Sequence, residues 1–391
     1  MAREGYKIFD ADTHIIEPVE PIEVYLPSMA RARLEALGPL VQRTPSKGGV
    51  SRYLVGKRPA LNRRLGSRER VSPPAASAQG IKGVPWNVRW QGPPFPNERL
   101  DFDPHARVQD MDFEGIDMNV VLPSGGIPAF CSLDDVSVEL SMYEAFHRFI
   151  GDYCASYPER LKSVILVSGR DVAGSVAEVH RCGKEPWPVG IFPICPEGIT
   201  LDDPEWEPLW AVAETYDLTV VIHSFTMASP YPPGIWDNWD NLFLQRSAGH
   251  VWNAQRNMAA LLGAGVLDRY PRLRIAPLEC GHGWLACWGA RLDEAADMCR
   301  HLLQPLKRKP SEYIRGPQYF QSIQLHEGEQ SLRHAIEAVG EDTLMFATDY
   351  PHTESWFPKS VEIVLGWTSI SETARKRLFW ENALRCYQRA C

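Results

Sequence analysis

The feature that most constrains the fold of this 391-residue chain is a series of short apolar runs, most of them followed by an amphipathic stretch. The runs are rich in β-branched and aromatic residues and nearly continuous in apolarity, which is typical of strands buried on both faces. They lie at residues 6–9, 117–122, 161–167, 189–194, 218–223, 273–278, 319–325 and 343–348. Helical patterns lie between and after them, at residues 132–157, 171–183, 204–216, 284–304, 328–340 and 371–390.

Repeated strand–helix units predict an α/β fold with a parallel sheet and right-handed crossovers. Eight such strands indicate a (β/α)8 TIM barrel. An open, doubly wound sheet is the structural alternative, but no G-x-G-x-x-G motif follows the first strand. We therefore expect residues 1–391 to form a single barrel domain.

One segment, residues 24–108, interrupts this pattern because it contains no clear strand–helix unit and several Pro-rich stretches with interspersed Trp. A structureless loop of this length is unusual within a compact domain. We interpret it as an insertion after the first strand that forms a lid or a pocket wall over the barrel. Residues 31–90 contain 13 Lys or Arg against two Glu. This basic segment is either a solvated loop or a surface for an anionic ligand such as the phosphates of coenzyme A.

The overall composition excludes several classes of protein. The net charge is −8, which argues against a general nucleic-acid binder. No apolar run approaches the ~18 residues of a membrane-spanning helix, and the first residues lack the apolar core of a secretory signal. The nine cysteines form no C-x-x-C pair, which is typical of reduced thiols. We expect a cytoplasmic protein with no nucleic-acid or membrane partner.

Polar side chains cluster at the carboxyl ends of the predicted strands, where barrel enzymes carry their active sites. Asp12 and His14 stand two residues apart, directly after the first predicted strand. In extended backbone, side chains at this spacing point to the same face. The full set at strands one, five, six and eight is Asp12, His14, Glu17, His223, Glu279, His282, Asp349 and His352. Each alone could be a helix cap or an ordinary hydrogen-bonding group. Together they predict a metal site.

Three signatures carry a resemblance to a known family: "DADTHIIEP" at 10–18, "LECGHGW" at 278–284 and "TDYPH" at 348–352. They resemble the amidohydrolase-related, metal-dependent barrels that include the aminocarboxymuconate-semialdehyde and resorcylate decarboxylases. The resemblance implies that Asp12, His14, His223 and Asp349 hold a divalent metal. The chain departs from those decarboxylases at Glu279, where they typically carry a His at the end of strand six.

The carboxylate-rich set also resembles a smaller branch, the TIM-barrel non-haem di-iron monooxygenases of the platensimycin and platencin type. This second resemblance implies two irons per chain, and we assign their ligands to Asp12, His14, Glu17, His223, Glu279 and Asp349. Asp349, His282 and His352 are the candidates for catalytic roles. The expected partners are O2, an external electron donor and a bulky apolar substrate linked to coenzyme A. On these grounds our leading hypothesis is an oxidoreductase of secondary metabolism.

Two alternatives stay open. The first is a hydrolase or a non-oxidative decarboxylase with a single Zn²⁺ or Mn²⁺, in which Asp349 acts as a base and His352 or His282 donates a proton. The second is a barrel that binds a ligand without chemistry. A homodimer is a further expectation, because apolar helices around such barrels often pair.

Overall fold

The computed structural model describes residues 3–46, 49–55, 62–71, 101–195, 199–223, 243, 245–352 and 355–391. Its strands are β1 (Phe9–Ile15), β2 (Val41–Pro45), β3 (Ser51–Val55), β4 (Asn62–Arg63), β5 (Arg70–Val71), β6 (Met118–Pro123), β7 (Leu161–Ser168), β8 (Pro188–Ile194), β9 (Thr219–His223), β10 (Ile275–Leu278), β11 (Gln321–Ser322) and β12 (Leu344–Met345). Its α-helices are α1 (Val19–Glu23), α2 (Ser28–Ala36), α3 (Pro104–Glu114), α4 (Val136–Ala155), α5 (Val172–Cys182), α6 (Glu207–Thr215), α7 (His250–Gly263), α8 (Val266–Arg269), α9 (Leu285–Met298), α10 (Pro310–Ile314), α11 (Gly328–Val339), α12 (Ser360–Leu365), α13 (Glu372–Lys376) and α14 (Asn382–Cys386). Shorter 3₁₀ and π turns lie at Gly38–Leu40, Pro128–Ser132, Pro204–Trp206, Gln245–Gly249, Leu325–Glu327, Arg377–Glu381 and Gln388–Ala390.

Eight strands curl into a closed parallel barrel. Six of them form one sheet in the order β1-β6-β7-β8-β9-β10. A parallel bridge between Ile275 and Tyr319 continues this sheet toward β11, which pairs with β12. The ring closes where the Ala11 N–H donates to the carbonyl of Phe346 at 3.0 Å. The predicted α/β barrel is therefore confirmed.

Each of the eight predicted strands overlaps an observed one, but the bounds of the first were wrong. Strand one was expected at 6–9, whereas β1 runs from Phe9 to Ile15 and is buried throughout. The charged Asp10 looked like the end of a strand. It is buried within the strand because Thr348 donates to its carboxylate from both the backbone N–H and the hydroxyl. Asp12 and His14 consequently lie inside β1 rather than after it.

The predicted helices also match, and three of the observed ones begin at Asp caps. Asp103, Asp135 and Asp171 each accept a backbone N–H from the first turn of α3, α4 and α5, respectively. Sequence analysis gave no helix at α3 or α7. The omission of α7 mattered, because this helix begins beside the candidate site described below.

The first part of the inserted segment contains regular secondary structure. It contains α2 and an antiparallel hairpin of β2 and β3. Glu23 of α1 accepts from the Tyr53 hydroxyl and forms an ion pair with Arg43, which fixes the hairpin to α1. The Tyr53 ring meets Phe130, in the turn after β6, at 5.2 Å between centroids. Residues 72–100 lie outside the described residues, so the lid role of 24–108 and the single domain of 1–391 stay predictions.

The carboxyl-terminal residues cover the opposite end of the barrel. Thr219, at the start of β9, and Arg274, next to β10, both donate to the carbonyl of Cys386. Arg389 donates to the carbonyl of Pro188 at the start of β8. These residues do not cover the carboxyl ends of the strands, where the candidate site lies. Within the described part of the chain, no helix has the length and apolarity needed to cross a membrane.

Asp10 offers a test of barrel closure. Burial raises the pKa of Asp10 well above its ordinary value. Replacement by Asn keeps an acceptor for Thr348, so we expect Asp10→Asn to cost less than about 1 kcal/mol. Asp10→Ala leaves the buried Thr348 N–H unsatisfied, which should cost about 1–3 kcal/mol in the free energy of unfolding. Urea denaturation would measure both, and equal losses in the two variants would contradict this account.

Candidate metal centre

The hydrogen bonds that close the barrel also place three acidic and imidazole side chains together. Asp12 and His14 share one face of β1, as expected from the alternation of side chains in a strand. The Asp349 N–H donates to the carbonyl of Asp12 at 3.0 Å, and the His14 N–H donates to the carbonyl of Tyr350 at 2.6 Å. The segment after β12 therefore runs beside β1 and brings Asp349 next to Asp12 and His14.

Five of the predicted ligands converge at the carboxyl ends of the strands. The Nε2 atom of His14 lies 3.2 Å from Asp349 Oδ1, 3.4 Å from Asp12 Oδ1 and 4.0 Å from Glu279 Oε2. The Nε2 atom of His223 lies 3.0 Å from Glu279 Oε2 and 3.9 Å from Asp12 Oδ1. All five side chains are buried. Their ligand atoms are close enough for neighbouring groups to share one cation.

The orientation of His14 suits a metal. Its Nδ1 atom lies 3.1 Å from the carbonyl of Pro123, which can only accept, so Nδ1 carries a hydrogen and Nε2 faces the carboxylates. Asp12 Oδ1 and His14 Nε2 are buried, and in the part of the chain that the structure describes neither makes a hydrogen bond of acceptable geometry. Buried polar atoms of this kind require an explanation, and a bound cation supplies one. The residues present thus fit a metal.

Two of the acidic residues have an unusual backbone conformation. Asp349 has a φ of 60° and Glu279 a φ of 47°, in the left-handed region that residues other than glycine rarely adopt. Such conformations cost of order 1–3 kcal/mol and are concentrated at functional sites. Glu279 directly follows β10 and Asp349 lies four residues beyond β12, and each carboxylate lies within 4.0 Å of His14 Nε2.

The structure also brings His352 to the cluster. Its Nδ1 atom lies 2.8 Å from Asp349 Oδ1, and its ring stacks on that of His14 with 4.0 Å between centroids. It is 23% exposed, whereas His14 is fully buried. His352 therefore connects the cluster to the outside.

Glu17 and His282 are not brought into the cluster. Glu17 Oε1 accepts the N–H groups of Gly125 and Ile127, and burial raises the pKa of this carboxyl. His282 Nδ1 accepts the N–H of Gln324, and burial lowers the pKa of the ring. Both residues stabilise loops around the site, and their roles as ligand and proton donor have no geometric support.

His250 is the residue that sequence analysis missed. It begins α7, and its Nδ1 atom lies 3.0 Å from the Glu279 carbonyl and 3.4 Å from Glu279 Oε1. Burial acts to raise the pKa of Glu279, but the neighbouring His250 and His223 outweigh it and hold this pKa well below its ordinary value. The signal was present in the sequence: Ala254, Met258, Leu261 and Leu262 recur at helical spacing, and a helix that follows strand five begins at this end of a barrel.

An α/β barrel with imidazoles and carboxylates at the carboxyl ends of its strands has the general layout of barrel enzymes. The sequence profile of one such family, described as amidohydrolase, matches residues 10–389. The chain therefore belongs to the amidohydrolase family.

The relatives of this chain include decarboxylases. It is 25% identical over 305 residues to the gamma-resorcylate decarboxylase of Polaromonas sp., covering 72% of this chain and 86% of that one. An amidohydrolase from Mycobacterium avium subsp. paratuberculosis superimposes with a TM-score of 0.73 at 19% identity, over 98% and 100% of the two chains. The 5-carboxyvanillate decarboxylase of Novosphingobium aromaticivorans, with bound manganese and 3-methoxy-4-hydroxy-5-nitrobenzoic acid, gives 0.68 at 21% identity, over 98% and 97%.

These findings correct the leading hypothesis from sequence. The prediction of a di-iron monooxygenase, and with it an oxidoreductase, is wrong, because the relatives are decarboxylases, which are lyases. The cluster of potential ligand atoms supports a metal cofactor, and the related 5-carboxyvanillate decarboxylase holds manganese and a benzoic acid derivative. Two irons, O2, an electron donor and a coenzyme A-linked substrate have no support. The homodimer stays a prediction.

The protonation of His14 makes metal binding depend on pH. Burial alone would lower the pKa of His14, but the neighbouring carboxylates of Asp12 and Asp349 outweigh it and raise this pKa well above 6.5. A cation must therefore displace a proton even above pH 6.5, so we expect the apparent Mn²⁺ affinity to keep rising as the pH increases above 6.5. The slope should approach about tenfold per pH unit, for one displaced proton. Mn²⁺ titration by EPR would measure it, and an affinity that is level above pH 7 would contradict it.

Proposed function

We propose that this protein is a metal-dependent, non-oxidative decarboxylase that removes CO2 from a small aromatic carboxylic acid. The observation that carries the proposal is the convergence of Asp12, His14, His223 and Asp349 at the carboxyl ends of the barrel strands. The decarboxylases among the relatives support the type of reaction. The acids in the names of these decarboxylases, gamma-resorcylate, 5-carboxyvanillate and 2,6-dihydroxybenzoate, are hydroxylated or methoxylated benzoic acids. This is the substrate class that we propose here.

We assign the metal to Asp12, His14, His223 and Asp349. Two imidazoles and two carboxylates suit Mn²⁺ or Zn²⁺, and we favour a single Mn²⁺ because related structures contain it. When bound, the cation would supply a Lewis acid that orients and polarises the substrate near its carboxylate. The carbonyl of Pro123 fixes the His14 ring, as outer partners of metal-binding histidines commonly do.

The chain's own residues must also supply a proton. Loss of CO2 leaves an electron pair on the ring carbon, and this carbon takes up a proton in place of the carboxylate. We propose that His352 carries protons between the outside and the cluster, because its side chain is 23% exposed and its Nδ1 lies 2.8 Å from Asp349 Oδ1. Glu279 pairs with His250, which keeps an imidazole at this side of the site.

The proposal predicts CO2 release that needs a metal and does not need O2. Protein loaded with Mn²⁺ should decarboxylate at least one member of a panel containing 2,6-dihydroxybenzoate and 5-carboxyvanillate, at equal rates in air and under argon. Asp349→Asn should lower the rate at least about a hundredfold, since even an outer partner of a metal site is worth 10–100-fold. Measurement would follow loss of ultraviolet absorbance and release of ¹³CO2.

Asp342→Asn provides the matched control for that experiment. Asp342 is half exposed, pairs with Arg385 and Arg377, and lies seven residues before Asp349, on the other side of β12. Its substitution should leave the rate unchanged. A product that forms only in the presence of O2, or an Mn²⁺-loaded protein that releases CO2 from no acid of the panel, would refute the proposed function.

A further inference from the structure

A continuous chain of hydrogen-bonding side chains joins two loops beside the candidate metal centre. Ser124 Oγ lies 3.0 Å from His352 Nε2, and His352 Nδ1 lies 2.8 Å from Asp349 Oδ1. Ser124 directly follows β6, whereas His352 and Asp349 follow β12. Neither the sequence nor the relatives assign a role to Ser124.

The position of Ser124 is fixed by its surroundings. Its N–H donates to the carbonyl of Ile15 at 3.1 Å, at the end of β1. The next residues are held by Glu17, whose Oε1 accepts the N–H groups of Gly125 at 3.1 Å and Ile127 at 3.2 Å. The buried Glu17 therefore gives the hydroxyl of Ser124 a defined place opposite the His352 ring.

A serine, a histidine and an aspartate in this order also occur in hydrolases, where the serine is the nucleophile. That chemistry requires N–H donors aimed at the oxyanion that develops during the reaction. Here the N–H groups of Gly125 and Ile127 are occupied by the carboxylate of Glu17, whose negative charge opposes an oxyanion. Ser124 therefore has another role.

The chemistry of the three groups fixes the hydrogen positions on His352. An ionised carboxylate only accepts hydrogen bonds, so in neutral His352 the hydrogen lies on Nδ1 and is donated to Asp349. The lone pair then lies on Nε2 and accepts the hydroxyl hydrogen of Ser124. In the other tautomer the Nδ1 lone pair would face the Asp349 carboxylate, so Asp349 sets the tautomer, and the hydroxyl of Ser124 supplies a hydrogen bond to the lone pair on Nε2.

We infer that Ser124 is a positioning residue that holds the Nε2 side of the His352 ring by this hydrogen bond and thereby helps to orient Asp349 toward the metal. The inference rests on the proposed role of Asp349 as a ligand. Outer partners of this kind typically change metal affinity or activity by 10–100-fold, and that is the scale we expect for Ser124.

Three variants of the full-length protein test the inference. Ser124→Ala removes the hydroxyl and Ser124→Thr keeps it. Ser132→Ala is the matched control, because this half-buried serine lies on the same connection and, within the described part of the chain, donates only to the carbonyl of Ala129, at 2.8 Å. The ¹⁵N shift of His352 Nε2 in metal-free protein at pH 8, assigned by comparison with His352→Gln, would report whether the lone pair accepts the hydrogen bond. EPR of free Mn²⁺ would report the affinity.

We expect the same His352 Nε2 shift and the same Mn²⁺ affinity in the wild type, Ser124→Thr and Ser132→Ala. Ser124→Ala should change the Nε2 shift, because the hydrogen bond to the lone pair is lost, and should bind Mn²⁺ about 10–100-fold more weakly. An unchanged Nε2 shift in Ser124→Ala, or equal losses of affinity in Ser124→Ala and Ser132→Ala, would overturn the inference. Wild-type protein that binds no Mn²⁺ would instead overturn the proposed function, while the ¹⁵N shifts would still decide whether Ser124 holds the His352 ring.

Discussion

The contact between β1 and the segment 346–350 is the constraint on which both the barrel and its site depend. The same set of backbone hydrogen bonds closes the ring of strands and fixes Asp12, His14 and Asp349 relative to one another. Asp10 adds a buried side-chain connection to Thr348 at the same place. A change that loosens this closure should therefore weaken the fold and the metal centre together.

The cluster is electrostatically incomplete without a cation. Three carboxylates surround two imidazoles in a buried space, where like charges repel strongly. In the metal-free protein a proton on His14 relieves part of this repulsion, which explains why the pKa of His14 is raised against the effect of burial. His14 therefore contributes stability that is complete below pH 6.5 and is lost as the pH rises through its raised pKa. A divalent cation replaces that proton with a larger charge, so metal and proton compete for one position.

Much of this could be predicted from the sequence because the strands are continuous apolar runs and the polar residues stand where those runs end. Asp12, His14, His223, Glu279 and Asp349 converge because the carboxyl ends of parallel strands meet at one face. Features that depend on contacts between distant segments could not be predicted from the sequence. The buried Asp10 concealed the true start of β1, because its partner Thr348 is 338 residues away. Glu17 looked like a ligand by proximity, but its oxygen is taken by a loop more than one hundred residues further along the chain.

The carboxylate-rich composition of the site was the basis for expecting two metals, and the structure gives it another explanation. Glu279 is accompanied by His223 and His250, Asp349 by His352, and Glu17 by backbone N–H groups. A carboxylate that already has such hydrogen-bond partners is stabilised without a second cation. Each carboxylate–imidazole pair is also a place to keep a proton, which the proposed decarboxylation requires once CO2 has left. The number of acidic residues near a site therefore overestimates the number of metal ions that the site binds. The hydrogen-bond partners of each carboxylate decide how many charges a cation must balance.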